Sequence, residues 1–200
     1  MLVPMNRFVP LCVVSLFVVA LGACTNEPGA PQSTLAPQMT ATPSTTPGEV
    51  VPLDLTFTDP QLLDAITIAG FVPIFDVSDA VKSQFSADLD DGTVSLVDVQ
   101  GTTGGEYYSA IQESRFHLVC DQKVYASKTA PFAADMTAAG FAPFPDDGIP
   151  AGESGDYWVA FLMGGNTNPT DCTLTYTRNA AKDDSTGDDI PVYTTTVQLN

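Results

Sequence analysis

The chain has 200 residues, with 24 Asp and Glu against 7 Lys and Arg, one His, four Cys and a net charge of −17. Its length sets a prior of one domain or two small ones, and 44% hydrophobic residues match a globular chain rather than a disordered or collagen-like one. The charge argues against a nucleic-acid partner, which needs clustered Lys and Arg, and the single histidine excludes zinc sites built from two or three imidazoles.

The first element is an address. Met1 to Arg7 is weakly basic, and Phe8 to Leu21 is almost entirely apolar. That run is too short for a membrane span, which needs about 20 residues, but it suits a secretory signal peptide. Its end, Leu21-Gly22-Ala23-Cys24, resembles the lipobox of bacterial lipoproteins, with an aliphatic and two small residues before a cysteine. The resemblance implies removal of residues 1–23, diacylglyceryl attachment to the Cys24 sulfur and acylation of the new amine with a fatty acid such as palmitate. It further implies a lipid-anchored protein on the extracytoplasmic face of the cell membrane. Two or more acyl chains make a stable anchor, since each buried methylene contributes about 0.8 kcal/mol.

With Cys12 in the leader and Cys24 lipidated, Cys120 and Cys172 remain. In an oxidising compartment they most simply pair, closing a 52-residue loop worth on the order of 4 kcal/mol. The other reading is a reactive thiol assisted by His117, although on a strand His117 and Cys120 face opposite ways.

Thr25 to Pro52 forms the next segment, with six prolines, many threonines, no aromatic residue and only Glu27 and Glu49 charged. It cannot bury enough apolar surface to offset its ordering entropy. It reads as a tether spanning roughly 30 Å as coil or about 90 Å as polyproline II.

Residues 53–200 are expected to be globular, with a repeat at 53–122 and 123–200. Asp59 to Pro73 aligns without a gap onto Thr129 to Pro143, sharing Thr67/Thr137, Ala69/Ala139, Gly70/Gly140, Phe71/Phe141 and Pro73/Pro143. Each copy predicts a helix: Asp59 or Thr129 as N-cap, apolar stripes Leu62, Ile66, Ala69 and Phe132, Met136, Ala139, and Gly70 or Gly140 as terminator. A short extra helix is expected over Asp79 to Ala87. Alternation predicts strands over Thr93 to Val99, Arg115 to Cys120 and Cys172 to Thr177, with further strands at Tyr157 to Met163 and Val192 to Leu199. The expected class is α+β, an antiparallel sheet with packed helices in two tandem copies of a small unit. The Ala-Gly-Phe helix ends are also similar to those of PASTA modules, although that family's opening Val-Pro-Asp is not reproduced.

Chemistry-bearing motifs are few. Gly152-Glu153-Ser154-Gly155 misses the Gly-x-Ser-x-Gly elbow by one residue, and His117 would be the only imidazole for a triad. Asp88, Asp90 and Asp91, Asp146 and Asp147, and Asp183, Asp184, Asp188 and Asp189 read as solvated turns. Placing Gly92 at position six of a calcium loop puts Ala87 at position one, which fails the EF-hand pattern. No metal and no cofactor is expected. The best binding candidates are the aromatic pairs Tyr107-Tyr108 and Tyr157-Trp158, each with one ring facing outward to stack on a sugar or peptide. The expected function is a non-catalytic envelope protein whose acidic, disulfide-stapled domain binds a protein or glycan partner. The alternative is a small envelope hydrolase using two carboxylates, which would need two buried, pKa-perturbed acids in one cleft.

Overall fold

The computed structural model describes residues 46–105, 107, 109–183 and 185–200. The leader, Cys24, most of the tether, Tyr108 and Asp184 lie outside the described residues. The elements run β1 (Val51–Thr58), β2 (Ala65–Phe75), α1 (Asp79–Gln84), α2 (Ser86–Leu89), β3 (Thr93–Thr102), β4 (Phe116–Cys120), β5 (Lys123–Ala126) and α3 (Ala133–Ala138). They continue with β6 (Ser154–Met163), β7 (Thr173–Arg178), β8 (Ala181–Lys182), β9 (Asp189–Ile190) and β10 (Tyr193–Gln198). The fold is sheet-rich and antiparallel. One four-stranded sheet has the order β1-β2-β3-β6, a second β10-β7-β4-β5, and β8 pairs with β9 in a small hairpin.

The two large sheets meet face to face, because every strand with a period-two pattern turns its apolar side inward. Ile66, Ile68, Val97, Val99 and Phe161 from the first sheet pack against Phe116, Leu118, Leu174 and Tyr176 from the second, all buried. Phe57 reaches Tyr176 with ring centres 5.5 Å apart. Each such side chain contributes about 1.5–3 kcal/mol by leaving water. The outer face of the first sheet carries a second core, in which Val72, Phe75, Val94, Leu96 and Ala160 pack beneath Phe132 and Met136. Val81, Phe85 and Leu89 of the first two helices close it at the side.

The disulfide is present. Cys120 and Cys172 flank the register pair Val119–Thr173, their alpha carbons are 4.4 Å apart, and the bond joins β4 to β7 in the core.

The first expected helix is absent. Asp59 does cap: its Oδ1 accepts the backbone N–H of Gln61 (2.9 Å) and Leu62 (3.3 Å). The cap serves a single turn, because Leu63 takes φ +60° and the chain extends into β2. Ile66-Thr67-Ile68 is β-branched and suits a strand, and Ile66 and Ile68 face the inter-sheet core. Gly70 is not a helix terminator and has no positive φ. It lies in β2 opposite Pro52 and Asp98, where a Cβ would stand 3.2 Å from the Trp158 ring.

The second copy does form a helix. Phe132 opens it from a 3₁₀ turn, and Gly140 ends it at φ +88° with Phe141 N–H returning to the Met136 carbonyl. Thr129 does not cap, since its hydroxyl accepts the Ala160 N–H instead. The aligned segments are thus a central strand and a short helix, so the tandem copies expected from the sequence are not seen. The expected tether boundary also moves: β1 starts at Val51, and Gly48 N–H bonds to the Ile74 carbonyl.

Candidate functional site

Arg178 ends the inward-facing series Leu174, Tyr176, Arg178 of β7 and is only 3% exposed. A buried guanidinium needs a carboxylate and full hydrogen bonding, and both are provided. Its Nε and Nη2 donate to the fully buried Asp59, and its Nη1 donates to the carbonyls of Asn179 (3.1 Å) and Pro191 (2.9 Å). Burial alone would raise the Asp59 pKa. The Arg178 hydrogen bond, the Gln61 and Leu62 amides and the Arg178 charge together hold it below the usual carboxylate value.

A second pair lies alongside. Asp64, 1% exposed, accepts Gly104 N–H at 3.0 Å through Oδ1, while its Oδ2 has no hydrogen-bond partner. Arg115 Nη1 stands 3.9 Å from that oxygen. Burial raises the Asp64 pKa, opposed by the Gly104 amide and the Arg115 charge. Arg115 is fixed by two hydroxyls, donating to Tyr176 Oη at 3.1 Å and Ser109 Oγ at 3.2 Å. The turn holding both acids is strained at Leu63, a bulky residue at positive φ, which costs of order 1–3 kcal/mol.

These two arginines form part of the wall of a cavity of about 580 Å³. Three chain segments surround it: Leu62 from the β1–β2 turn, Tyr107 to Arg115 before β4, and Thr177 to Ile190 across the β8–β9 hairpin. The wall is rich in hydroxyl and amide groups, among them Ser109, Gln112, Ser114, Thr177, Asn179 and Ser185. The volume falls within the range of ordinary ligand pockets. A smaller groove of about 340 Å³ runs under α2 beside Val94, and an open trough on the first sheet includes Gln100, Ser154 and Asp156.

Of the sequence candidates, Tyr107 lines the cavity and is half-buried. Tyr157 packs between the sheets, 5.8 Å from Phe144, and Trp158 stands on the opposite face, 4.8 Å from Phe141. Neither faces the cavity, and neither points free into solvent. Cys120 and Cys172 are bonded and buried, so no described cysteine is a thiol nucleophile. Ser154 Oγ bonds Thr102 on the first sheet, while His117 pairs with Ala126 and Thr175 in the second, so no triad forms. Asp91 pins the β6–β7 turn through Gly165 N–H, and Asp183 accepts from Ser185 and Thr186. Among the described residues no group of three or more His, Cys, Asp or Glu is placed to hold a metal ion.

One acid pair does meet part of the hydrolase criterion. Asp98 is half-buried in β3, and burial together with the hydrogen bond and charge of Asp156 pushes its pKa up to about 7. Asp156 is exposed, however, and the pair lies on a sheet surface rather than in a cleft.

The sequence presents Asp59 only as a helix cap and Arg115 only as a strand start, and it does not bring them together with Asp64 and Arg178, because the four come from separated segments. One signal was available: Arg178 falls in the inward phase of an alternating strand, which demands a buried acid.

No family model matches the chain, and no curated protein does. Among solved structures, one match is the crystal structure of a functionally unknown protein from Listeria monocytogenes EGD-e. It superposes with a TM-score of 0.42 at 13% identity, covering 76% of this chain and 89% of that one.

Proposed function

We propose that this is a lipid-anchored envelope protein whose folded domain binds a saccharide in the cavity between the β1–β2 turn and the β8–β9 hairpin. The observation that carries this reading is the cavity itself: about 580 Å³, walled by hydroxyl and amide side chains, with Tyr107 as an aromatic surface. Sugars present dense hydroxyls and one apolar face, which such a wall and ring complement. The Asp59–Arg178 pair keeps the wall rigid, so little ordering entropy is lost on binding. The hydrolase reading rests on Asp98 and Asp156, and Asp156 is exposed on an open sheet surface that gives substrate no enclosure.

Chemical-shift titration with mono- and disaccharides tests the site. Shifts should concentrate at Tyr107, Gln112, Ser114 and Asn179, and Tyr107→Ala should weaken binding about tenfold, the value of one stacked ring. Saccharide shifts confined to Trp158 or Asp156 would move the site elsewhere.

The anchor follows from Leu21-Gly22-Ala23-Cys24. Among the described residues no helix is long and apolar enough to cross a membrane. Cys24→Ser should leave an uncleaved precursor or release the protein. Unchanged mass and unchanged membrane fractionation would refute lipidation.

A further inference from the structure

We infer that the saccharide taken by this cavity carries a carboxylate, and that Arg115 receives it. The inference rests on the saccharide reading of the cavity and names acidic sugars as its ligand class. Three of the chain's seven Lys and Arg residues line this one cavity, in a protein of net charge −17. They are not equivalent.

Arg178 is committed through four of its five donors, with Nε and Nη2 on Asp59 and Nη1 on two backbone carbonyls. Lys182 Nζ lies 2.8 Å from Asp189 Oδ1 in a well-hydrated pair, and 61% of the lysine side chain is exposed. Arg115 differs from both. Its two hydrogen bonds go to neutral hydroxyls, Tyr176 and Ser109. Among the described residues the nearest carboxylate oxygen, Asp64 Oδ2, stands 3.9 Å away, beyond hydrogen-bond reach. A guanidinium has five N–H donors, and those two bonds use only two of them.

Among the described residues, Arg115 hydrogen-bonds only neutral side chains. Burial raises the Asp64 pKa, opposed by the Gly104 amide and the Arg115 charge, and across 3.9 Å the two side chains share no hydrogen bond. Asp183 of the cavity wall keeps its charge, and its oxygens accept Ser185 and Thr186, which ties the carboxylate into its own turn and away from Arg115 as a hydrogen-bond partner. Tyr176 and Ser109 hold the guanidinium in place before any ligand arrives, which is the arrangement that favours a planar, two-pronged carboxylate contact. Ser114 and Gln112, neighbours of Arg115 in sequence and in the wall, would meet the sugar hydroxyls.

The experiment compares matched pairs by titration of the folded domain: glucuronate with glucose, galacturonate with galactose, and N-acetylmuramate with N-acetylglucosamine. The acid member of at least one pair should bind about tenfold more tightly, the scale of one charge-assisted contact. Arg115→Gln should bring the two members within about twofold of each other. Since Arg115 also supports Tyr176, Ser114→Asp gives a second route: it adds a competing charge at an exposed wall position and should abolish the same preference. Equal binding of acid and neutral members, at the cavity, overturns the carboxylate inference and leaves the saccharide site standing. Absence of shifts at Tyr107, Gln112 and Ser114 with every sugar overturns both.

Discussion

Asp98 is the residue whose chemistry departs most from its type. It faces Gly70 on one neighbouring strand and Trp158 on the other, and its Oδ1 has no hydrogen-bond partner. Burial, then the hydrogen bond and charge of Asp156, raise its pKa from 3.8 to about 7. Between those values the folded state holds a proton that the unfolded state has lost. Stability therefore falls as pH rises from about 4 to about 7, the reverse of an ordinary paired carboxylate. After allowance for solvent screening of a half-exposed group, roughly 1–2 kcal/mol is at stake. Asp64 shifts in the same direction and self-repulsion of a highly acidic chain adds to the slope, so the wild-type profile alone does not isolate Asp98. Asp59 is held low and loses its contribution only at more acid pH. Asp98→Asn should raise the melting temperature at pH 8 and change it little at pH 4.5, measured by circular dichroism. An equal shift at both pH values would show that the effect is not ionisation.

At the level of elements, the β1–β2 turn shows how far local signals can mislead. Asp59, Pro60 and the Ala-Gly-Phe ending read as a helix start and stop, and Asp59 does bond the amides that an N-cap would. The cap supports only one turn, because the following residues gain more by pairing with β1 and β3. Past the Gly70 bulge β2 is buried on both faces, Phe71 toward the second sheet and Val72 and Phe75 toward the helices, so its alternation disappears. β4 and β7 were legible for the opposite reason: each alternates strictly along its length. Of the cavity, only Tyr107 was read from sequence, since the rest depends on a turn, a loop and a hairpin brought together by the sheets. Gly104 locks that assembly. Its N–H donates to Asp64, and an added Cβ would stand against the Leu62 carbonyl oxygen, which is backbone and cannot give way. At Gly70 the obstructing atoms are side-chain ends, Val50 Cγ1 and Trp158 Cη2. Gly104→Ala should therefore cost more than Gly70→Ala, about 2–4 kcal/mol against about 1 kcal/mol, by urea unfolding. The opposite ranking would mean that the turn relaxes freely.

For the molecule as a whole, the disulfide couples fold to compartment. Two sheets share one core, but the second sheet has little else to fix its register. β5 is four residues long with Val124 exposed, and β10 is an edge strand with every second side chain outward. The Cys120–Cys172 bond joins the two central strands of that sheet at one end. A 52-residue separation gives a loop-closure contribution of about 4 kcal/mol, a large share of a typical domain's 5–15 kcal/mol. Such a bond is maintained outside the cytosol, which agrees with the proposed exported, lipid-anchored protein. The double variant Cys120→Ala/Cys172→Ala should lose about 2–5 kcal/mol, and reduction of the wild type should bring it close to the variant. The loss should also reach the cavity, because Arg178 ends β7 and Tyr176, which holds Arg115, lies in the same strand. Slippage of β7 against β4 would shift Arg178 and Tyr176 relative to Arg115, which immediately precedes β4. Amide exchange of the variant should then show protection lost along β4, β7 and β10 while β2 and β3 keep theirs. Uniform loss across both sheets would instead make the two sheets one cooperative unit, with the disulfide acting on the unfolded chain alone.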